Sequence, residues 1–344
     1  MLKNKFVLFP GLFSLLLLLT ILSVCIGALR IPLIEVWHFL SDSLGFTENQ
    51  ASDLHKNVIL GLRIPRALMA ILIGSSLAFA GASLQGLFRN PLADPGLIGI
   101  SSGASLAATC VIVLGIHIGF LGQFFLAICA FVGAAIVTFI VYQISRSGGK
   151  TIVATMLLAG IAMAAIAEAG RGYLFLVSDE AELRNATFWL LGSLGGANWN
   201  NILVLIPFTI LPLFFMYGMG KKLNAFSLGE TDANYLGINV KVLKRTVVVL
   251  ATLVVGASVS VAGMIGFVGL IVPHIVRLIF GPDHRSLLPI SMILGAIFLL
   301  GADLIARTVL SPIEIPIGII TAAIGAPLFI SILLNEKKKR RLMI

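Results

Sequence analysis

The chain has 344 residues, of which 58% are hydrophobic and only 11% carry a charge. A soluble domain carries about 25% charged residues, so the composition excludes an ordinary water-soluble enzyme and points to a single membrane domain, 1–344. The net charge of +9 would suit nucleic acid only if it lined one face; instead the basic residues sit in short loops and at the C-terminus, where they report membrane topology.

Lys3 and Lys5 precede an apolar run from Phe6 to Ile26, the layout of a signal peptide. Leu22-Ser23-Val24-Cys25 approaches a lipoprotein cleavage box, but Val24 stands where a small residue is required, and the run is long enough to cross. A retained first helix is expected. Further apolar runs follow, each near the ~20 residues that span the hydrocarbon core as a helix. Ten spans are expected, at 6–29, 66–88, 95–115, 119–143, 152–177, 200–218, 243–264, 267–281, 287–308 and 316–334. The fold class is thus all-α, a polytopic transmembrane bundle. The apolar stretch 186–196 is too short to cross and is expected as a re-entrant or surface helix. Cys25, Cys110 and Cys129 lie inside apolar runs without metal-ligand spacing, as small buried hydrophobes.

Ten spans put both termini on one side, and the tail Lys337-Lys338-Lys339-Arg340-Arg341 assigns that side to the cytoplasm of a bacterial inner membrane. The cytoplasmic segments then hold 16 basic residues, and the outer ones six: Arg30, Lys56, Arg63, Arg66, Arg184 and Arg307. Small residues at helical spacing, Gly99 with Gly103 and Gly192 with Gly196, read as close-packing positions. Arg66 to Pro91 and Arg245 to Pro273 share a layout: a basic start, a small-residue helix, a Gly-rich turn and a proline. They would cross in opposite directions, the pattern of an inverted repeat.

Several motifs look like chemistry. Gly148-Gly149-Lys150-Thr151 resembles the end of a phosphate-binding loop, but the full pattern needs glycine at position 144, which is Ile144. No ATPase site of its own is therefore expected. The five histidines include no HExxH pair. Gly99-Ile100-Ser101-Ser102-Gly103 matches a serine-nucleophile turn only in its letters, lacking the strand-to-helix setting. His274 is a lone polar residue near a bend, read as structural before any gate or pathway role.

Charged residues within spans are costly in lipid and normally face the bundle interior or a water-filled path. Glu168 and Arg171 are three apart, and Asp303 and Arg307 four apart, so each pair shares a helix face. Arg63-Ile64-Pro65-Arg66 places two arginines outside, where exposed guanidinium groups can grip partner carboxylates. The loop 223–240 is the longest cytoplasmic one. Ser227 with Glu230 fits a capping box, Gly237 a helix stop, and exposed Phe226, Leu228, Tyr235 and Leu236 a docking surface. An ion-coupled secondary transporter using Glu168 or Asp303 is the rival reading; an intramembrane enzyme lacks a nucleophile–base or metal set.

Taken together, Arg63-Ile-Pro-Arg66, Gln85-Gly-Leu-Phe-Arg-Asn-Pro-Leu-Ala-Asp-Pro-Gly96, Gly229-Glu-x-x-Ala-x-x-Leu-Gly237, Gly266-Phe-Val-Gly-Leu-Ile-Val-Pro-His-Ile-Val-Arg277, Asp283-His-Arg285, Ala302-Asp-Leu-Ile-Ala-Arg307 and Glu314-Ile-Pro-Ile-Gly318 resemble the FecCD family over nearly the whole chain. These are permeases of type II ABC importers for ferric siderophores, haem and vitamin B12. The resemblance implies a homodimer with the pathway on its two-fold axis. Two cytoplasmic ATPase subunits would bind ATP and Mg, so that this chain holds no cofactor or metal, and an extracytoplasmic binding protein would deliver the substrate. It implies docking arginines at Arg63, Arg66 and Arg307 and a cytoplasmic gate at Asn90 and Leu92. The coupling loop would carry Ser227, Leu228, Gly229, Glu230, Ala233, Leu236 and Gly237. Glu168, Arg171, His274 and Asp303 remain as polar residues of the pathway or the membrane interior. A second gate segment near Val153 and Ala154 is less polar than in the vitamin B12 permease, and its role is not carried over. The segment Phe188 to Trp199 is similar to haem permeases, which favours haem, then ferric siderophore, then vitamin B12.

Overall fold

The computed structural model describes residues 3–46, 52–116, 118, 122, 124–148 and 150–341. Helix α1 (Lys3–Cys25) is followed by α2 (Leu33–Ser43), α3 (Asp53–Val58), a π-helical turn (Ile59–Arg63) and α4 (Ile64–Phe88). A 3-10 turn (Pro95–Ile98) leads into α5 (Ile100–Val113), and α6 (Phe124–Ile144) follows. A two-residue ladder, β1 (Arg146–Ser147) with β2 (Lys150–Thr151), precedes α7 (Val153–Val177), α8 (Glu180–Leu191) and α9 (Trp199–Tyr217). The chain continues with α10 (Gly220–Leu228), α11 (Glu230–Tyr235), α12 (Val240–Ala262), α13 (Val268–Phe280), α14 (His284–Ala306) and α15 (Ile317–Arg341). The ten expected spans coincide with α1, α4, α5, α6, α7, α9, α12, α13, α14 and α15.

Helix α4 is the centre of the bundle. Every residue from Ser76 to Phe88 is buried, the mark of a helix surrounded on all sides. Small side chains allow it: a Cβ on Gly74 would overlap the carbonyl of Gly295 in α14, and one on Gly81 would overlap that of Gly269 in α13. Helix α12, also largely buried, packs beside α4. Helices α6 and α7 expose most of their apolar surface, as expected of helices facing lipid or a second subunit.

Helices α5 and α13 are short, with 14 and 13 residues. At 1.5 Å per residue each covers about 20 Å, less than the ~30 Å hydrocarbon core. Both follow a long buried helix and a sharp turn. Arg89 after α4 (φ 50°) and Phe267 before α13 (φ 68°) are the non-glycine residues with positive φ among those described.

The structure departs from the sequence reading in three places. The helix expected at 186–196 runs instead from Glu180 to Leu191, started by a capping box. Asp179 Oδ1 accepts from the Glu182 amide at 2.8 Å, and Glu182 Oε2 accepts from the Asp179 amide at 3.1 Å. Its acidic first turn conceals it from a search for apolar runs. Because it stops at Leu191, Gly192 and Gly196 share no helix face, and Gly196 borders open space. Gly103, by contrast, meets Gly133 of α6 backbone to backbone. Helices α2 and α3, unforeseen in the sequence, clasp each other through His55 Nδ1 to Glu35 Oε2 (3.0 Å) and Lys56 Nζ to Asp42 Oδ2 (3.2 Å).

Candidate functional site

Two polar clusters lie at opposite ends of α4. At its N-terminal end, Asp303 of α14 is completely buried between two arginines. Arg66 Nε donates to Asp303 Oδ1 at 2.9 Å and Oδ2 at 3.2 Å, and Arg66 Nη1 donates to Glu314 Oε1 at 2.7 Å. Arg307 Nε stands 3.4 Å from Asp303 Oδ2, while its Nη2 donates to the Ser23 carbonyl (2.6 Å) and hydroxyl (2.8 Å) of α1. Arg63 closes the group, donating from Nη1 to the Ile26 carbonyl (2.6 Å) and from Nη2 to that of Leu29 (3.0 Å). The three arginines do come together, but not as exposed groups: Arg63 and Arg307 are buried. Desolvating a guanidinium is costly unless its donors find partners; chain carbonyls, Ser23 and Asp303 supply most of them, while Arg307 Nε has only its ion-pair contact with Asp303 and no hydrogen bond. Glu314, with its side chain 45% exposed, is the member open to solvent. Three cations against two carboxylates leave the cluster positive. Arg66 and Arg307 both engage the Asp303 carboxylate, so it is not open to a coupling cation, which weakens the ion-coupled reading.

At the other end, α10 and α11 form a bent element. Leu223 and Phe226 turn inward, so Phe226 is buried rather than exposed as expected, with the Arg89 guanidinium 4.4 Å over its ring. Leu228, Tyr235 and Leu236 are exposed, at 67%, 86% and 62%. The expected capping box is absent. Helix α10 runs through Ser227, whose hydroxyl donates to the Asn224 carbonyl at 2.6 Å, and the break falls at Gly229 (φ 146°). Glu230 is instead drawn to Lys244. Ala233 is buried, and Gly237 (φ 78°) ends the element as a left-handed stop.

Three contacts join this element to the bundle. Lys244 of α12, only 2% exposed, donates to Glu230 Oε1 at 2.6 Å and to the Thr151 carbonyl at 2.7 Å, at the entrance to α7. Asn224 Nδ2 donates to Asp283 Oδ1 at 2.6 Å, and Asn224 Oδ1 accepts from the His284 amide at 2.9 Å. Hydrogen bonds from Arg285 hold the Asp283 carboxyl well below the usual carboxylate range. Arg89 links Phe226 to the turn that carries Asn90 and Leu92. There Asn90 Oδ1 accepts from the Leu92 amide at 3.0 Å, and both side chains are exposed. Lys244 is the residue the sequence concealed: it read as one more cytoplasmic charge, and no spacing rule ties it to Thr151.

The remaining polar residues are dispersed. Glu168 and Arg171 pair along one face of α7, as their spacing requires, with Glu168 largely exposed. His274 is buried in α13. Gln85 bridges α4 and α13, donating to the Leu270 carbonyl at 3.0 Å and accepting from Arg277 Nη2 at 3.3 Å. The Lys150 and Thr151 backbone is spent in a ladder with Ser147 and Arg146, not in a phosphate-binding turn. Among the described residues, no group of three or more His, Cys, Asp or Glu is placed to hold a metal ion.

Residues 15–335 match the sequence model of the FecCD transport family. The chain belongs to the FecCD transport family. It is 39% identical over 334 residues to the hemin transport system permease protein HmuU of Yersinia pestis, covering 96% of each chain. It is 40% identical over 328 residues to the vitamin B12 import system permease protein BtuC of Klebsiella pneumoniae, covering 95% of this chain and 93% of that one. Among solved structures it is similar to a metal-chelate type ABC transporter in an inward-facing conformation, with a TM-score of 0.82 at 32% identity, over 96% of this chain and 99% of that one. This FecCD protein is thus a multi-pass membrane permease of an ABC importer.

Proposed function

We propose that this permease moves an iron chelate, haem first and ferric siderophore next, with vitamin B12 as the alternative cargo. It would act as a homodimer of single-domain chains, with both termini cytoplasmic and Asn90 and Leu92 at the cytoplasmic gate. Two partner ATPases would bind ATP and Mg, leaving no nucleotide site in this chain, and an extracytoplasmic binding protein would deliver the substrate. Haem is favoured by the Phe188 to Trp199 segment and by the likeness to a hemin permease.

The observation that carries the mechanism is the α10–α11 element. It turns Leu228, Tyr235 and Leu236 outward while Lys244, Asn224 and Phe226 tie it to α7, α14 and the gate turn. A push on that exposed face would reach two helices and the gate turn through short polar or ring contacts. At the opposite end, the net-positive arginine cluster would attract acidic side chains of a delivery protein, which would compete with Glu314 for Arg66. His274 and the Glu168–Arg171 pair would be structural members of the membrane interior.

The test is uptake into vesicles holding the permease, its ATPase and its binding protein, with haem, a ferric siderophore and cobalamin supplied separately. ATP-dependent accumulation of haem above the other two is expected; accumulation of cobalamin alone would overturn the substrate assignment. Arg66→Glu is expected to weaken binding-protein docking in a salt-dependent manner, and unchanged docking would remove the arginine cluster from that role.

A further inference from the structure

A groove of about 600 Å³ runs between α6 and α12, separate from both polar clusters. Its mouth holds three cations: Arg146 in β1, two residues beyond α6, and Lys241 and Arg245 on the first turns of α12. All three are exposed, and no Asp or Glu lines the groove. Lys241 and Arg245 are four apart on one helix face, a like-charge spacing that destabilises a helix unless an anion lies between the charges. Glu230 does not serve them, being bound to Lys244. Beyond the mouth the walls are mainly apolar, with Phe139, Val248 and Leu253, and also carry Thr138 and Thr252.

The dimensions identify the occupant. From Lys241 to Thr252 the groove follows α12 for about 16 Å at 1.5 Å per residue. That is close to half the ~30 Å hydrocarbon core, the depth of one leaflet. A cationic mouth at the membrane surface over an apolar trough one leaflet deep matches an anionic headgroup with its acyl chain below. Basic pockets between transmembrane helices hold such lipids. We infer that the groove between α6 and α12 is a binding site for an anionic phospholipid, with Arg146, Lys241 and Arg245 on the phosphate. The inference rests on the membrane-spanning fold alone and is independent of the cargo. Lys241 and Arg245 lie within four residues of Lys244, so an occupied site would brace the start of α12 beside the α11 contact.

The test is native mass spectrometry of the full chain in mild detergent. Phosphatidylglycerol, phosphatidylcholine and inorganic phosphate are titrated separately. Phosphatidylglycerol is expected to bind at least tenfold more tightly than phosphatidylcholine. Each cation contributes on the order of fivefold, so R146Q/K241Q/R245Q is expected to lose about a hundredfold. If that variant does not fold, K241Q alone, with its fivefold loss, replaces it. Thr252→Trp fills the trough, leaves the cations in place, and is expected to lower lipid affinity without that charge change. Equal binding of the two lipids, or wild-type affinity in the charge variants, would overturn the site. Displacement of the lipid by inorganic phosphate alone would show a free-anion site and overturn the lipid assignment. Shielding of Lys241 from an amine-reactive probe by the ATPase partner, in detergent without lipid, would assign the cations to a protein interface and do the same.

Discussion

Asp303→Ala removes the carboxylate on which the arginine cluster is built. Asp303 is fully buried and meets Arg66 at 2.9 Å and Arg307 at 3.4 Å. Without it, two largely buried guanidinium groups keep their charge, with only Glu314 as an acidic partner. Breaking a buried ion pair from one side costs about 3–5 kcal/mol, because the abandoned charge remains desolvated. Glu314→Gln is the control: its carboxylate is 45% exposed, and a solvent-screened pair contributes about 1 kcal/mol or less. At roughly 2 °C per kcal/mol for a long chain, the midpoint for Asp303→Ala should fall by about 6–10 °C, and that for Glu314→Gln by about 2 °C or less. Thermal unfolding in detergent can be followed with a thiol-reactive dye, since Cys25, Cys110 and Cys129 are free and partly buried. Equal small shifts in the two variants would refute the reasoning, as they would show that Asp303 is as well hydrated as Glu314.

Lys244→Met should leave the fold within about 1–3 kcal/mol, the range for hydrogen bonds to a charged group, because Glu230 is half exposed and can hydrate. Its mark should be a lower number of molecules transported per ATP in the assembled complex, and unchanged coupling would remove Lys244 from the transmission path. Gly81→Val should cost more than ~2 kcal/mol by overpacking α4 against the Gly269 carbonyl, whereas Gly196→Ala, facing open space, should leave the melting midpoint unmoved. Ser227→Ala should change stability by less than ~0.5 kcal/mol, since the hydroxyl caps no helix. Gly237→Ala should cost about 1 kcal/mol for its left-handed backbone; the reverse order in a denaturation series would restore the capping box.

Apolar run length was sufficient to place the ten helices expected in the membrane, because a chain in lipid must satisfy its backbone within each helix; among the described residues five of them, or six with the bent α9–α10 pair, are long and apolar enough to cross. The same criterion missed α2, α3 and the true start of α8, which are too short or too mixed in polarity to form an apolar run. Spacing also foretold the two intrahelical ion pairs, Glu168 with Arg171 and Asp303 with Arg307. It could not foretell that Arg66 reaches Asp303 from 237 residues away. Arg63 and Arg66 read as exposed because they sit beside a span end; only the tertiary fold shows carbonyls of α1 and its following turn covering Arg63 and Arg307. Glu230 likewise looked like a capping partner for Ser227, three residues distant, until Lys244 competed for it from α12.

The most direct test of the central claim compares ATP hydrolysis and transport with and without partners. The purified chain alone should hydrolyse no ATP above background. In vesicles with its ATPase subunits and binding protein, it should support ATP-dependent uptake of an iron chelate. Robust hydrolysis by the isolated chain, or uptake that proceeds without ATPase subunits under an ion gradient, would contradict it.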